Sequence, residues 1–253
     1  MGLFTNLRWS LAQRGAAGTL RAVVAALQRR RRPAAAQVPP HPFDEQHGLD
    51  TSGMVLGREL ARGEARAAEV TGYAGVSVSR FEEVMARWCE FAGEAARFAF
   101  ADIGCGKGRA LMLASRQGFR EVWGIELDRG LASIAERNLA TWQNAGLARC
   151  PVKLVRGEAT LADVPEGPLV LFLYNPFSPA VLRRLLDRME ERQRAGGGEL
   201  WVVYYKENAD NPLRADGRVQ LAWRGVPCIT AEERPYDPVA AEDDEVAIYR
   251  WRN

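Results

Sequence analysis

FADIGCGKGRALMLAS, residues 100–115, decides how the rest of the chain is read. An apolar run meets an acid, Asp102, and breaks into Gly104, Gly106 and Gly108 before a helical pattern begins. Glycine has no Cβ, so the backbone there can adopt unusual dihedrals and approach a ligand closely. The start of the following helix adds unpaired N–H groups. The stretch therefore predicts a strand, a ligand-touching bend and a helix.

From this point onward the pattern alternates. RFAFADIG (97–104) reads as a buried strand and GRALMLASRQG (108–118) as a helix ended by Gly118. REVWGIEL is a strand, and DRGLASIAERNLATWQNAG a helix ended by Gly146. CPVKLVRGEA and GPLVLFLYNPF are strands, SPAVLRRLLDRMEERQRAGGG a helix with Pro179 in its first turn, and ELWVVYYKE a strand. Apolar strands alternating with helices mean a parallel sheet covered on both faces. GRVQLAWRG and DDEVAIYRWRN lack a full helix between them and fit an antiparallel pair at one edge. The expected fold is α/β: a doubly wound, mostly parallel, Rossmann-like seven-stranded sheet with an antiparallel edge and an N-terminal helical segment.

Spacing separates two ligand classes. A dinucleotide fingerprint is G-x-G-x-x-G, whereas here Arg109 stands where its third Gly belongs. G-x-G-x-G, with an acid two residues ahead, resembles motif I of the class I S-adenosylmethionine-dependent methyltransferases. The resemblance extends through successive strand ends. Glu126 lies eighteen residues past Gly108, where that family places a carboxylate that accepts hydrogen bonds from both ribose hydroxyls. Glu158, in GEA (157–159), matches the acid or amide near the adenine edge, and YNPFS (174–178) falls at the catalytic motif.

DTSG (50–53), DIGCGKGRALMLAS (102–115), GIEL (124–127) and YNPF (174–177) are together similar to a bacterial group of class I methyltransferases of unassigned substrate. That group is distantly similar to the non-SET histone lysine methyltransferases. The resemblance covers about residues 43 to 210. It implies S-adenosyl-L-methionine as cofactor, held by Asp102, Gly104, Cys105, Gly106, Gly108, Glu126, Leu127, Glu158, Ala159 and Asn175. The alternatives are that Glu126 is a helix N-terminal charge and Glu158 a solvated loop acid.

Asn175, Pro176 and Phe177 are the candidate catalytic residues. The Asn175 carbonyl can accept a hydrogen bond from an amine and leave its lone pair aimed at a methyl group. Pro176 fixes the backbone, and Phe177 offers a packing face. Amino-methylating families carry Asp/Asn-Pro-Pro-aromatic here. The missing second proline counts against planar base amines and glutamine amides. The alternative is a strand-ending turn in which Asn175 or Ser178 caps the helix from Pro179. Thr51, Ser52 and Tyr73 are open to contacts with the cofactor or acceptor, or are ordinary turn residues. Lys107 and Arg109 point to solvent or meet an anionic acceptor. Of Tyr204 and Tyr205, alternation sends one to the core and the other toward the site. Trp201, Trp223 and Trp251 read as core and edge packing.

Bulk properties narrow the class. The 253 residues, 47% hydrophobic, suffice for one large core with an added segment. A net charge of +2 argues neither for a nucleic-acid binder nor for an acidic solubiliser. Seven arginines and no acid within residues 1–33 make a basic arm on a mildly acidic body. The arm's leucines and valines recur near helical spacing, interrupted by Gly15 and Gly18. It could pack on the body, lie on an anionic surface or hang free, and a weakly ordered arm is preferred.

Cys89, Cys105, Cys150 and Cys228 form no CxxC pair, and His41 and His47 are the two histidines. No metal site is expected, and reduced thiols in a cytoplasmic protein are. No apolar run approaches the ~18 residues of a membrane span.

The expected organisation is an arm and Pro/Ala linker over residues 1–42, a helical cover over 43–96 with a capped helix at 77–92, and the methyltransferase domain over 97–253. Ser77 or Ser79 is expected to cap that helix, with Glu82 or Glu83 supporting its first turn. The function expected is N-methylation of an amine on a protein or small molecule, the acceptor unspecified. Alternatives are a dinucleotide-dependent oxidoreductase, and a non-catalytic cofactor-binding module whose arm docks on an anionic partner.

Overall fold

The computed structural model describes residues 39–60, 72–207, 210–237 and 244–252. The basic arm lies outside the described residues. The described chain opens with α1 (Pro42–His47), β1 (Met54–Val55), the one-turn α2 (Gly57–Leu60) and β2 (Tyr73–Ala74). β1 and β2 pair antiparallel. α3 (Val78–Ala92) follows, then β3 (Ala99–Ile103), α4 (Arg109–Ser115), β4 (Glu121–Glu126), α5 (Arg129–Asn144), β5 (Val152–Arg156), β6 (Leu169–Tyr174), α6 (Pro179–Arg194), β7 (Leu200–Glu207), β8 (Val219–Gly225) and β9 (Glu245–Trp251).

Seven strands form one sheet in the order β5-β4-β3-β6-β7-β9-β8. β3 to β7 are parallel, and β9 runs antiparallel to both β7 and β8. Strand order reverses between β3 and β6, and such a switch point opens a crevice beyond the carboxyl ends of the strands.

Period-two alternation sorts the side chains of the central strands into two cores. Phe100, Val170, Phe172, Trp201, Val203 and Tyr205 face one layer, which contains Phe81 and Trp88 of α3, Leu111 of α4 and Trp142 of α5. Ala101, Ile103, Leu171, Leu173, Val202 and Tyr204 face the other, built on Leu182, Leu185, Leu186 and Met189 of α6. Each large apolar side chain so buried contributes about 1.5–3 kcal/mol.

α3 presents Phe81, Val84, Met85 and Trp88 on one face at helical spacing. Its rings interlock with the sheet, Phe81 lying 5.4 Å from Phe172 and Trp88 5.1 Å from Phe98. The expected serine cap is not what ends this helix. Ser77 occupies the N-cap position without a side-chain bond to the helix, and its hydroxyl goes to Asp237. Glu233 supplies the cap from afar. It accepts the N–H groups of Val78 and Ser79, the latter at 2.9 Å, and lies 2.9 Å from His41 Nε2. A carboxylate outcompetes a serine hydroxyl here because it carries charge toward the helix N-terminus.

Candidate functional site

The glycine bend is tied to the tip of β4. Gly104, Gly106 and Gly108 all have positive φ, at 82°, 57° and 87°. In this region a Cβ is unfavourable. The N–H groups of Gly104 and Cys105 both donate to the Ile125 carbonyl, at 2.8 and 3.1 Å. Gly106 N–H donates to Glu126 Oε2 at 2.7 Å, and Asp128 N–H donates to Oε1 at 2.8 Å. The two strand ends singled out in the sequence are thus neighbours, and the bend and the Glu126 carboxylate meet.

Glu126 is buried, and burial pushes its pKa up against the opposing pull of the Asp128 and Gly106 N–H groups. Each carboxylate oxygen offers about two acceptor sites, so one on each remains for a second donor. That chemistry fits a vicinal diol. Leu127 beside it is 44% exposed, an apolar surface suited to a flat ring. Helix-capping belongs instead to Asp128, whose Oδ1 accepts Leu131 N–H at 2.8 Å. Asp102 is buried one strand over, and burial together with the Glu126 charge raises its pKa well above the usual carboxylate range. Cys105 is buried, its thiol pushed up by burial and by Asp102 and Glu126. Glu158 is half-buried and accepts Thr160 Oγ1–H at 2.6 Å, while Ala159 packs into the α6-side core.

Asn175 sits just past β6 with φ 43°. Its Oδ1 accepts the Tyr204 hydroxyl at 3.0 Å. Pro176 closes on the bend, its Cβ lying 3.1 Å from where a Cβ on Gly104 would stand. Phe177 packs against the α6-side core. α6 begins with Ser178 at its N-cap position and Pro179 next, and the Ser178 side chain makes no cap bond. Lys206, just past the Tyr174–Tyr205 register pair, is the other described non-glycine residue with positive φ, at 57°. Both tyrosines are buried; Tyr204 is the one that reaches Asn175, while Tyr205 donates to the Arg80 carbonyl at 3.0 Å.

The segment before the sheet is fastened over the bend. Tyr73 packs the Cδ2–Cε2 edge of its ring on Gly106, where an added Cβ would come within 2.2 Å of Cδ2, and its hydroxyl donates to the Thr51 carbonyl at 2.6 Å. Arg109 departs from the expectation of a solvent- or acceptor-facing cation. It is buried and donates to Thr51 Oγ1 at 2.7 Å and to the Val76 carbonyl at 3.1 Å. A guanidinium can be buried here because several acceptors satisfy it. Lys107 is held by Asp50 at 2.6 Å and by the Ser52 carbonyl at 2.8 Å. Asp44 accepts Thr51 N–H at 2.8 Å and Ser52 Oγ–H at 2.6 Å.

Asn138 of α5, which sequence reasoning missed, accepts Asp50 N–H and donates to the Asp50 and Lys107 carbonyls, each at 2.9 Å. The available signal was a polar residue on the buried stripe of an amphipathic helix. Among the described residues no group of His, Cys, Asp and Glu could hold a metal ion, and no helix is long and apolar enough to cross a membrane.

No family model matches the chain, and no curated protein matches it in sequence. Solved structures do. The Escherichia coli protein yhhF, a provisionally named methyltransferase, superposes with a TM-score of 0.50 at 19% identity, over 71% of this chain and 88% of that one. An RNA methyltransferase from Salinibacter ruber, complexed with S-adenosyl-L-homocysteine, gives 0.44 at 24% identity over 68% and 92%. Magnesium protoporphyrin IX methyltransferase from Synechocystis PCC 6803, with S-adenosylmethionine bound, gives 0.47 at 12% identity over 69% and 79%. With the strand order above, the yhhF likeness shows that this chain has the Rossmann-like fold of class I methyltransferases.

Proposed function

We propose that this chain is an S-adenosylmethionine-dependent methyltransferase that methylates an amine nitrogen on a protein or small molecule. The observation that carries the reading is the meeting of the glycine bend and the Glu126 carboxylate at the tips of neighbouring strands, joined through Gly106 N–H. Glu126 accepts the ribose hydroxyls. Asp102, Gly104, Cys105, Gly106 and Gly108 line the methionine and ribose side, while Leu127, Glu158 and Ala159 border the adenine. When bound, the cofactor supplies a methyl already activated for displacement.

The protein's work is then to hold the acceptor in line and exclude water, where orientation contributes about 7–11 kcal/mol. Asn175 Oδ1 is the group that accepts an amine N–H, with Pro176 and Phe177 shaping the wall beside it. The described residues 43–60 and 72–96 act as the cover, with Tyr73 pressed against Gly106. Calorimetric titration with S-adenosylmethionine and, separately, with a nicotinamide dinucleotide tests the reading. Binding of the first and not the second is expected. Binding of the dinucleotide alone overturns it in favour of an oxidoreductase.

A further inference from the structure

A cavity of about 500 Å³ lies away from the strand tips, along the edge strand β8. Three arginines line it, Arg214, Arg224 and Arg252, against one acid, Asp216. We propose that this cavity is a binding site for a phosphate group.

The site is built rather than a chance gathering of surface charge. The Glu207 carboxylate is fully buried and holds the lining Arg224, accepting from its Nε and, at 3.0 Å, from Nη2. Arg224 Nη2 also donates to the Tyr249 hydroxyl at 3.2 Å, and that hydroxyl is itself bonded to Glu207. The guanidinium is thereby fixed in orientation before any ligand arrives, which lowers the ordering cost of binding. Asp216 is held by Arg218 at 2.7 Å, and Arg218 is shared with Asp187 and Glu190 at 2.8 and 3.1 Å. Arg214 reaches Glu207 only at 3.9 Å. Arg252 pairs with no carboxylate among the described residues.

Glu207 serves both Arg224 and Arg214, and three guanidinium groups line the cavity against the single lining carboxylate of Asp216. A phosphate presents three acceptor oxygens, which matches the planar forks of three lining guanidinium groups. A carboxylate, with two oxygens, leaves part of that donor set unused. β8 stands four strand spacings from β3, roughly 19 Å, so the site is separate from the glycine bend.

The test is calorimetric titration of the full chain with inorganic pyrophosphate, and in a second arm with a short single-stranded oligonucleotide. Saturable binding is expected in at least one arm, at least tenfold weaker in R252A and abolished in the R214A/R252A double variant. Both replacements leave the Glu207–Arg224 pair intact, and an unchanged melting curve verifies the fold. Loss of pyrophosphate binding in the double variant identifies a free phosphate ligand. Loss of oligonucleotide binding alone identifies phosphates borne on a chain. Absence of binding to both probes at millimolar concentration, or undiminished binding in the double variant, overturns the proposal; the second result is what the Arg-rich residues 1–33 alone produce.

Discussion

The hydroxyl of Tyr204 donates to Oδ1 of Asn175 at 3.0 Å, bridging two neighbouring parallel strands at the end of their mutual pairing. Asn175 is held with positive φ, a conformation that costs an ordinary residue about 1–2 kcal/mol. The hydrogen bond helps offset that cost and orients the amide. Y204F is expected to destabilise the fold by about 1 kcal/mol. It should lower methyl transfer into acceptor fractions while leaving S-adenosylmethionine affinity within twofold. Parallel losses of transfer and affinity show that Tyr204 supports the cofactor cleft instead.

Glu126 offers a second measurement. Each hydrogen bond to a charged acceptor contributes about 1.5–3 kcal/mol. E126A is therefore expected to weaken S-adenosylmethionine binding by one to two orders of magnitude in calorimetry, and N175A to lower turnover more than affinity. An E126A variant that binds as tightly as the parent removes Glu126 from the ribose site.

Two glycines should answer very differently to alanine. G106A places a Cβ 2.2 Å from Tyr73 Cδ2 at φ 57°, so backbone strain and overpacking together cost roughly 2–4 kcal/mol. G157A meets nothing within 4 Å and should stay within about 0.5 kcal/mol of the parent. Denaturant titration of both variants measures the contrast, and similar midpoints contradict the Tyr73 packing.

Acid should loosen the cap of α3. Burial alone raises the Glu233 pKa, but hydrogen bonds from His41, the Ser79 side chain and the Ser79 and Val78 N–H groups outweigh it and bring it to about 2, below the usual 4.5. A depressed folded-state pKa contributes stability that is fully present above the unfolded value and lost as the folded value is approached. That contribution should be complete above pH 4.5 and fade between 4.5 and about 2. E233Q should be less stable at neutral pH, with a flatter acid limb when unfolding is followed from pH 6 to 2. A parallel acid limb in the two proteins excludes Glu233 as the titrating group.

The sheet was legible because apolar runs such as 169–174 and 200–205 are local signals, and their alternation correctly sends Tyr204 and Tyr205 to opposite layers. The antiparallel edge was legible from the missing helix between the last two strands. The cover was harder to read. Arg109 reads as a charge beside a glycine bend until the chain folds Thr51 onto it, 58 positions away. The Glu233 cap of Ser79 spans 154 positions, and no local pattern announces such a partner. Tyr204 could be placed on a face but not paired with Asn175, because parallel-strand register is set by packing across the whole sheet.

The acid that caps the start of α3 lies 154 positions further along the chain than the residue it holds. During synthesis on the ribosome, α3 emerges early but waits uncapped until position 233 has left the exit tunnel. Docking of the α3 N-terminus on Glu233 thus follows synthesis of all five parallel strands, the last of which ends at Glu207. A nascent chain halted before Glu233 should carry the central parallel strands while its entrance segment is still open to proteases.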